Sequence, residues 1–114
     1  MKQHTTPCTR CPFRRTALQG WLGGMSPDEF QHLANTETRM HCHCAIPSRH
    51  REGVEYGSPE AARLPQCAGR AIYWTNQLKM PRDPSLLSLP RDPITVFEWP
   101  AEFVAHHKRE KVSA

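Results

Sequence analysis

The sequence lacks a long apolar run, a second Cys-x-x-Cys pair and any recognisable catalytic constellation. No stretch of the 114 residues approaches the roughly 18 consecutive apolar residues of a membrane-spanning helix. Residues Met1 to Pro7 carry no apolar centre of a secretory leader. The expected compartment is therefore the cytoplasm, where cysteines serve as metal ligands or free thiols rather than disulfides. Five cysteines, an odd number, do not suit a closed disulfide set either. Hydrophobic residues make up only 38% of the chain and proline numbers 11. Such a composition supports one modest core with little regular structure, which an internal staple would help to hold. The net charge is +4; four thiolates with one Zn²⁺, or with a [4Fe-4S]²⁺ core, would subtract two, and the +2 that remains is too mild to point to nucleic acid by itself.

The missing motifs narrow the chemistry further. Gly23-Gly24 is not followed by Gly-Lys-Ser/Thr, so there is no phosphate loop. Pro7-Cys8-x-x-Cys11 has no His-x-Glu before it, which removes the zinc-deaminase pattern. His43, Asn76 and His106 are too scattered for a ββα-metal nuclease, and no Ser-His-Asp or Cys-His arrangement follows from spacing. Nothing positive argues for an enzyme.

What is present is a cysteine knuckle, Cys8-Thr9-Arg10-Cys11-Pro12-Phe13-Arg14, with further cysteines at Cys42, Cys44 and Cys67. Two residues between cysteines let two thiolates converge on one tetrahedral centre, with backbone N–H groups aimed at the sulfurs. The rival use, a redox dithiol, expects a βαβ context, and here a loop and a helix start follow instead. The expected ligands are Cys8, Cys11, Cys42 and Cys67. A structural zinc ion is the favoured occupant, with a [4Fe-4S] cluster as the alternative. Cys-Pro after the pair and two isolated cysteines are compatible with a cluster. Four cysteines in a structural site more commonly hold zinc.

The rest of the chain reads as a mainly helical, loop-rich single domain over residues 8–109, with flexible tails at 1–7 and 110–114. Ser26-Pro27-Asp28-Glu29-Phe30 is a capped helix start, with Met25 and Phe30 placed as a staple. That helix should reach about Asn35 and bury Phe30, Leu33 and Ala34. Residues 38–46 look extended, with Cys42 and Cys44 on one side and His41 and His43 on the other. The alternation leaves open whether Cys44, His41 or His43 joins the site. Residues 47–66 form a long loop with a short helical turn at Ser58-Pro59-Glu60 and a basic run, Arg49-His50-Arg51. A second helix is predicted over 67–79, with Ala68, Ala71, Ile72, Thr75 and Leu78 on its buried face and Tyr73 and Trp74 widening it. Cys67 at its start profits from the free N–H groups and the dipole. Phe13, Phe30, Ile72 and Trp74 are expected to pack around the ligands.

Pro-Arg-Asp-Pro occurs at 81–84 and again at 90–93, and each copy predicts a short turn. Leu86, Leu87, Leu89, Ile94, Val96 and Phe97 around these turns need burying. Trp99-Pro100-Ala101-Glu102-Phe103 repeats the earlier helix start, and its helix should run to about Arg109. His106, His107, Lys108 and Arg109 suit its C-terminus electrostatically.

Cys8-x-x-Cys11-Pro12-Phe13-Arg14, Met40-His41-Cys42-His43 and Cys67-Ala68-Gly69 with Asn76 together resemble a family of short uncharacterised phage and bacterial proteins. Its pattern is CxxCP-aromatic-R, then Cys-His, then Cys-Ala-Gly. The resemblance spans roughly residues 8–78, selects Cys42 with His43 as the central pair, and leaves Cys44 as an extra. The resemblance supplies register rather than mechanism. Beside it, the expected role is that of a phage-type accessory or regulatory protein, in the host bacterial cytoplasm if phage-encoded, which acts by binding an unknown protein partner such as a component of host machinery. Cys-x-x-Cys-Pro-x-Arg is also similar to the iron–sulfur WhiB-like regulators, whose third cysteine follows closely; here Ala17 and its neighbours stand there. Nucleic-acid binding through Arg14, Arg15, Arg49, Arg51, Lys108 and Arg109 is a further alternative.

Overall fold

The computed structural model describes residues 3, 5–42, 55–81 and 83–108. Its regular elements are α1 (Pro27–Ala34), α2 (Pro59–Arg63), α3 (Ala68–Asn76), a 3₁₀ turn (Pro84–Leu86) and α4 (Pro100–His107). Three of the helices, and the 3₁₀ turn, begin on proline, where a missing N–H costs nothing. Side chains just before them accept the next free N–H groups. Ser26 Oγ accepts from Glu29 N at 3.1 Å, Ser58 Oγ from Ala61 N at 3.1 Å, and Asp83 Oδ1 from Ser85 N at 3.0 Å. At α4 the Glu102 carboxylate reaches back to the N–H groups of Glu98 and Trp99.

Among the described residues there is no strand, and two isolated antiparallel bridges tie distant segments instead. One joins Arg14 to Val96, with Phe97 N donating to Phe13 O and Arg15 N to Thr95 O. The other joins His41 to Gln66, with Cys42 N donating to Pro65 O at 2.7 Å and Cys67 N to Met40 O at 2.9 Å. The second bridge sets Cys42 beside the start of α3.

The core is an aromatic cluster centred on Phe13. Its ring lies 5.8 Å from Phe30, 5.2 Å from Tyr73 and 5.4 Å from Phe103, centroid to centroid. All four are essentially inaccessible, and fully burying each ring contributes on the order of 2–3 kcal/mol. Phe13 follows the knuckle directly, so the cysteines are fixed to the hydrophobic centre of the molecule. Lys108 Nζ, at the end of α4, pairs with Asp28 in the first turn of α1 at 2.8 Å. Each charge sits at the helix end whose dipole it complements.

Several expectations need correction. Leu33 is only half buried, leaving Phe30 and Ala34 as the buried face of α1. The second helix stops at Asn76, not 79. Leu78 N donates to Thr75 O and Lys79 N to Trp74 O, the paired closure of a Schellman motif, and Leu78 takes φ +64°. Leu78 therefore points outward, 82% exposed. Leu87 and Ile94 are exposed as well, whereas Leu86, Leu89, Val96 and Phe97 are buried as expected. The last helix ends at His107; Arg109 lies outside the described residues, as do His43, Cys44 and the basic run 49–51.

Candidate metal centre

The knuckle is a tight double turn. Cys11 N donates to Cys8 O and Arg14 N to Cys11 O, both at 3.1 Å. Arg14 then folds back on it, with Nε donating to Cys8 O at 2.8 Å and Nη2 to Pro7 O at 2.7 Å. Arg14 is thus a brace for the knuckle. Arg15 forms a bidentate pair with Glu102 and also donates to Pro93 O. Of the six basic residues considered for nucleic acid, Arg14, Arg15 and Lys108 are engaged within the molecule.

Cys67 is the N-cap of α3, and its sulfur accepts the Arg70 N–H at 3.4 Å. This local geometry follows from the sequence: Cys67 precedes Ala68-Gly69, and the bridge to Met40 fixes its backbone. Gly69 has a second reason to be there. A Cβ on Gly69 would collide with Cys11 Sγ, in a space also bounded by Phe13 and Pro7. The bare first turn of α3 is the seat of the Cys11 sulfur.

Cys8, Cys11, Cys42 and Cys67 line a single interior cavity of about 20 Å³. Phe13, Phe30 and Met40 form its apolar walls, and His41 and Tyr56 also face it. Ile72 and Trp74 are not among its walls; Ile72 belongs to the core and Trp74 lines a different, outer cavity. Cys11 and Cys42 are buried, Cys8 and Cys67 half buried. His41 and Cys42 both line the cavity, although a regularly extended chain would send them to opposite sides. Tyr56 was not legible beforehand, because it sits in a stretch without periodic pattern. Its ring lies tilted 5.0 Å from His41 and edge-on 6.1 Å from Phe30, centroid to centroid.

The thiols are electrostatically linked. Cys11 and Cys67 are within hydrogen-bonding reach of each other. The Cys11 thiol donates to Cys67, which raises the pKa of Cys11 further than its burial alone does, and lowers that of Cys67. The Arg70 N–H and guanidinium also favour the Cys67 thiolate. Tyr56 is pushed up by burial and by the cysteine charges around it. Among the described residues, no three His, Cys, Asp or Glu side chains already meet as a coordination group. What the cysteines share is a cavity and its walls, not a formed ligand shell.

Behind the knuckle, α4 supplies two histidines. His107 is 3% exposed; its Nε2–H donates to Pro12 O at 2.8 Å while Nδ1 accepts the Gly20 N–H at 3.0 Å. The pair of contacts demands a neutral ring with the proton on Nε2. His106 donates from Nε2 to Ala17 O at 2.7 Å. The two histidines fasten the segment 12–20 rather than merely balancing a helix dipole.

Comparison with family models, with curated proteins and with solved structures returned no match. No helix among the described residues is long and apolar enough to cross a membrane.

Proposed function

We propose that this chain is a small metal-binding protein in which Cys8, Cys11, Cys42 and Cys67 hold one zinc ion as a structural staple. The observation that carries this reading is the convergence of these four cysteines, from three separate segments, on one cavity. The cradle at Gly69, which only a residue without a Cβ leaves open for the Cys11 sulfur, supports it. So does the donor chemistry: four thiols in a small, largely apolar space cannot all ionise unless a cation joins them.

Zinc is favoured over a [4Fe-4S] cluster by the size of the space. With Zn–S bonds of about 2.3 Å, tetrahedral sulfurs stand about 3.8 Å apart. A cavity of about 20 Å³, with the Cys11 sulfur seated on the turn that Cys67 caps, suits that spacing. A cluster would put each thiolate on a separate corner of a larger core. The metal would join the knuckle, the 40–42 segment and the start of α3. Its role would be stability, and the protein would act by binding a partner, in the manner of a phage-type accessory or regulatory factor in the bacterial cytoplasm.

The test is anaerobic purification followed by an absorption spectrum and elemental analysis. About one zinc per chain with no visible band is the expected result. A brown protein with iron and acid-labile sulfide would replace zinc by a cluster. Absence of any metal would remove the reading.

A further inference from the structure

Of the two cavities described among these residues, Cys67 lines both, and Cys8, Cys11 and Cys42 line the inner one. On its inner side is the cysteine cavity; on its outer side is a surface cavity of about 250 Å³. Cys67, Arg70, Ala71 and Trp74 stand at positions i, i+3, i+4 and i+7 along α3 and make one wall of the outer cavity. Met40 and Leu86 also line it. A water molecule takes about 30 Å³ in the liquid, so a molecule the size of hydrogen peroxide enters this space without unfolding of the chain. Cys11 and Cys42, by contrast, are 1% and 3% exposed, and Cys8, half buried like Cys67, is not among the walls of the outer cavity. The Cys11 sulfur is seated on the first turn of α3, which Cys67 caps, and it lines the same inner cavity, so Cys11 is the thiol placed to pair with Cys67.

We propose that Cys67 is an oxidation site for hydrogen peroxide, with Cys11 as its resolving thiol, so that oxidation exchanges the metal staple for a Cys11–Cys67 disulfide. This regulation presupposes the zinc centre proposed above. In the first step the Cys67 thiolate attacks one peroxide oxygen. The O–O bond breaks, hydroxide leaves and takes a proton to become water, and Cys67 becomes a sulfenic acid. The sulfur is oxidised by two electrons and the peroxide is reduced. In the second step the Cys11 thiolate attacks the Cys67 sulfur. The S–O bond breaks, the S–S bond forms, and the departing hydroxide takes a proton to become a second water. Two of the four thiolates are then gone, and zinc leaves the remaining pair, Cys8 and Cys42. The new bond joins the knuckle to α3, two of the three segments the metal had joined, so the oxidised protein stays folded.

The experiment uses the full chain, purified anaerobically with its zinc and exposed to hydrogen peroxide. Zinc release is followed with a chromogenic chelator, and the linkage is mapped by mass spectrometry of a non-reducing digest. The expected result is one zinc released per bridge formed, with the peptides carrying Cys11 and Cys67 joined. Ala71→Leu, which narrows the outer cavity, should slow release several-fold; the linkage map of the native chain decides the matter even where that variant folds poorly. Zinc retained under peroxide, or a bridge between Cys8 and Cys11 or to Cys44, would overturn the oxidation site and leave the zinc centre standing. A chain that carries no zinc before any peroxide is added would overturn the zinc centre itself.

Discussion

The sulfur of Cys11 occupies the space in which a Cβ on Gly69 would have to lie. Any larger residue at position 69 must displace either the knuckle or the first turn of α3. Because the obstructing atom is a buried sulfur beside Phe13, there is little room to give. Gly69→Ala should destabilise the protein by about 1–3 kcal/mol, the usual range for an overpacked core. It should also weaken metal retention. Chemical denaturation and metal content of the variant check both; an unchanged midpoint with full metal would show that the two segments do not meet in this way.

Leu78 provides the opposite kind of test. It closes α3 in the left-handed region with an exposed side chain. A non-glycine residue there costs roughly 1–2 kcal/mol, and no burial offsets it. Leu78→Gly should raise the denaturation midpoint, by about 0.5–1 kcal/mol once the greater freedom of glycine in the unfolded chain is counted. A lower midpoint would mean that the Leu78 side chain makes a stabilising contact.

Asn76 is buried and fully used. Its Nδ2 donates to Val96 O and Phe97 O at 3.2 and 3.1 Å, and its Oδ1 accepts the Asp92 N–H at 2.7 Å. Asn76→Ala leaves three backbone groups without this partner, at a cost of about 2–3 kcal/mol. The effect should appear in equilibrium unfolding as a clear loss of stability. A change within a few tenths of a kcal/mol would deny the role.

Acid should loosen the brace behind the knuckle. Burial lowers the pKa of His107 below its usual 6.5, and neighbouring His106 adds to this against the opposing pull of the Pro12 carbonyl. Above pH 6.5 the ring is neutral in both folded and unfolded chains, and its contribution is complete. As the pH falls from there through the depressed folded value, the unfolded chain gains its proton first and stability declines. The thermal midpoint should therefore drop as pH is lowered through this window. In His107→Gln that part of the slope should disappear; an equal slope in the variant would assign the pH dependence to other groups.

How much of this was legible in the sequence follows from how local each signal is. The helix starts at Ser26-Pro27 and Ser58-Pro59 were readable because a cap and a proline act within one turn. The four cysteines that line the cavity stood out by type and by the two-residue spacing of Cys8 and Cys11. Leu78 was misread because the apolar periodicity of α3 runs on past the point where the backbone closes, and no glycine marks the stop. Tyr56 and His107 reach their places only through contacts distant in sequence, so no window of neighbouring residues contains the signal. Gly69 stands two residues after Cys67 in the sequence, but that it admits the Cys11 sulfur depends on how the knuckle docks on α3.

The most direct measurement is a cobalt(II) titration of the metal-free protein, read by visible absorption and repeated with serine at each of positions 8, 11, 42 and 67. The zinc-staple account predicts saturation at about one cobalt per chain, with the intense bands of a tetrahedral thiolate site. Zinc should displace them, and each serine variant should weaken or shift them. Bands that never appear, or that are unaffected by all four substitutions, would contradict it.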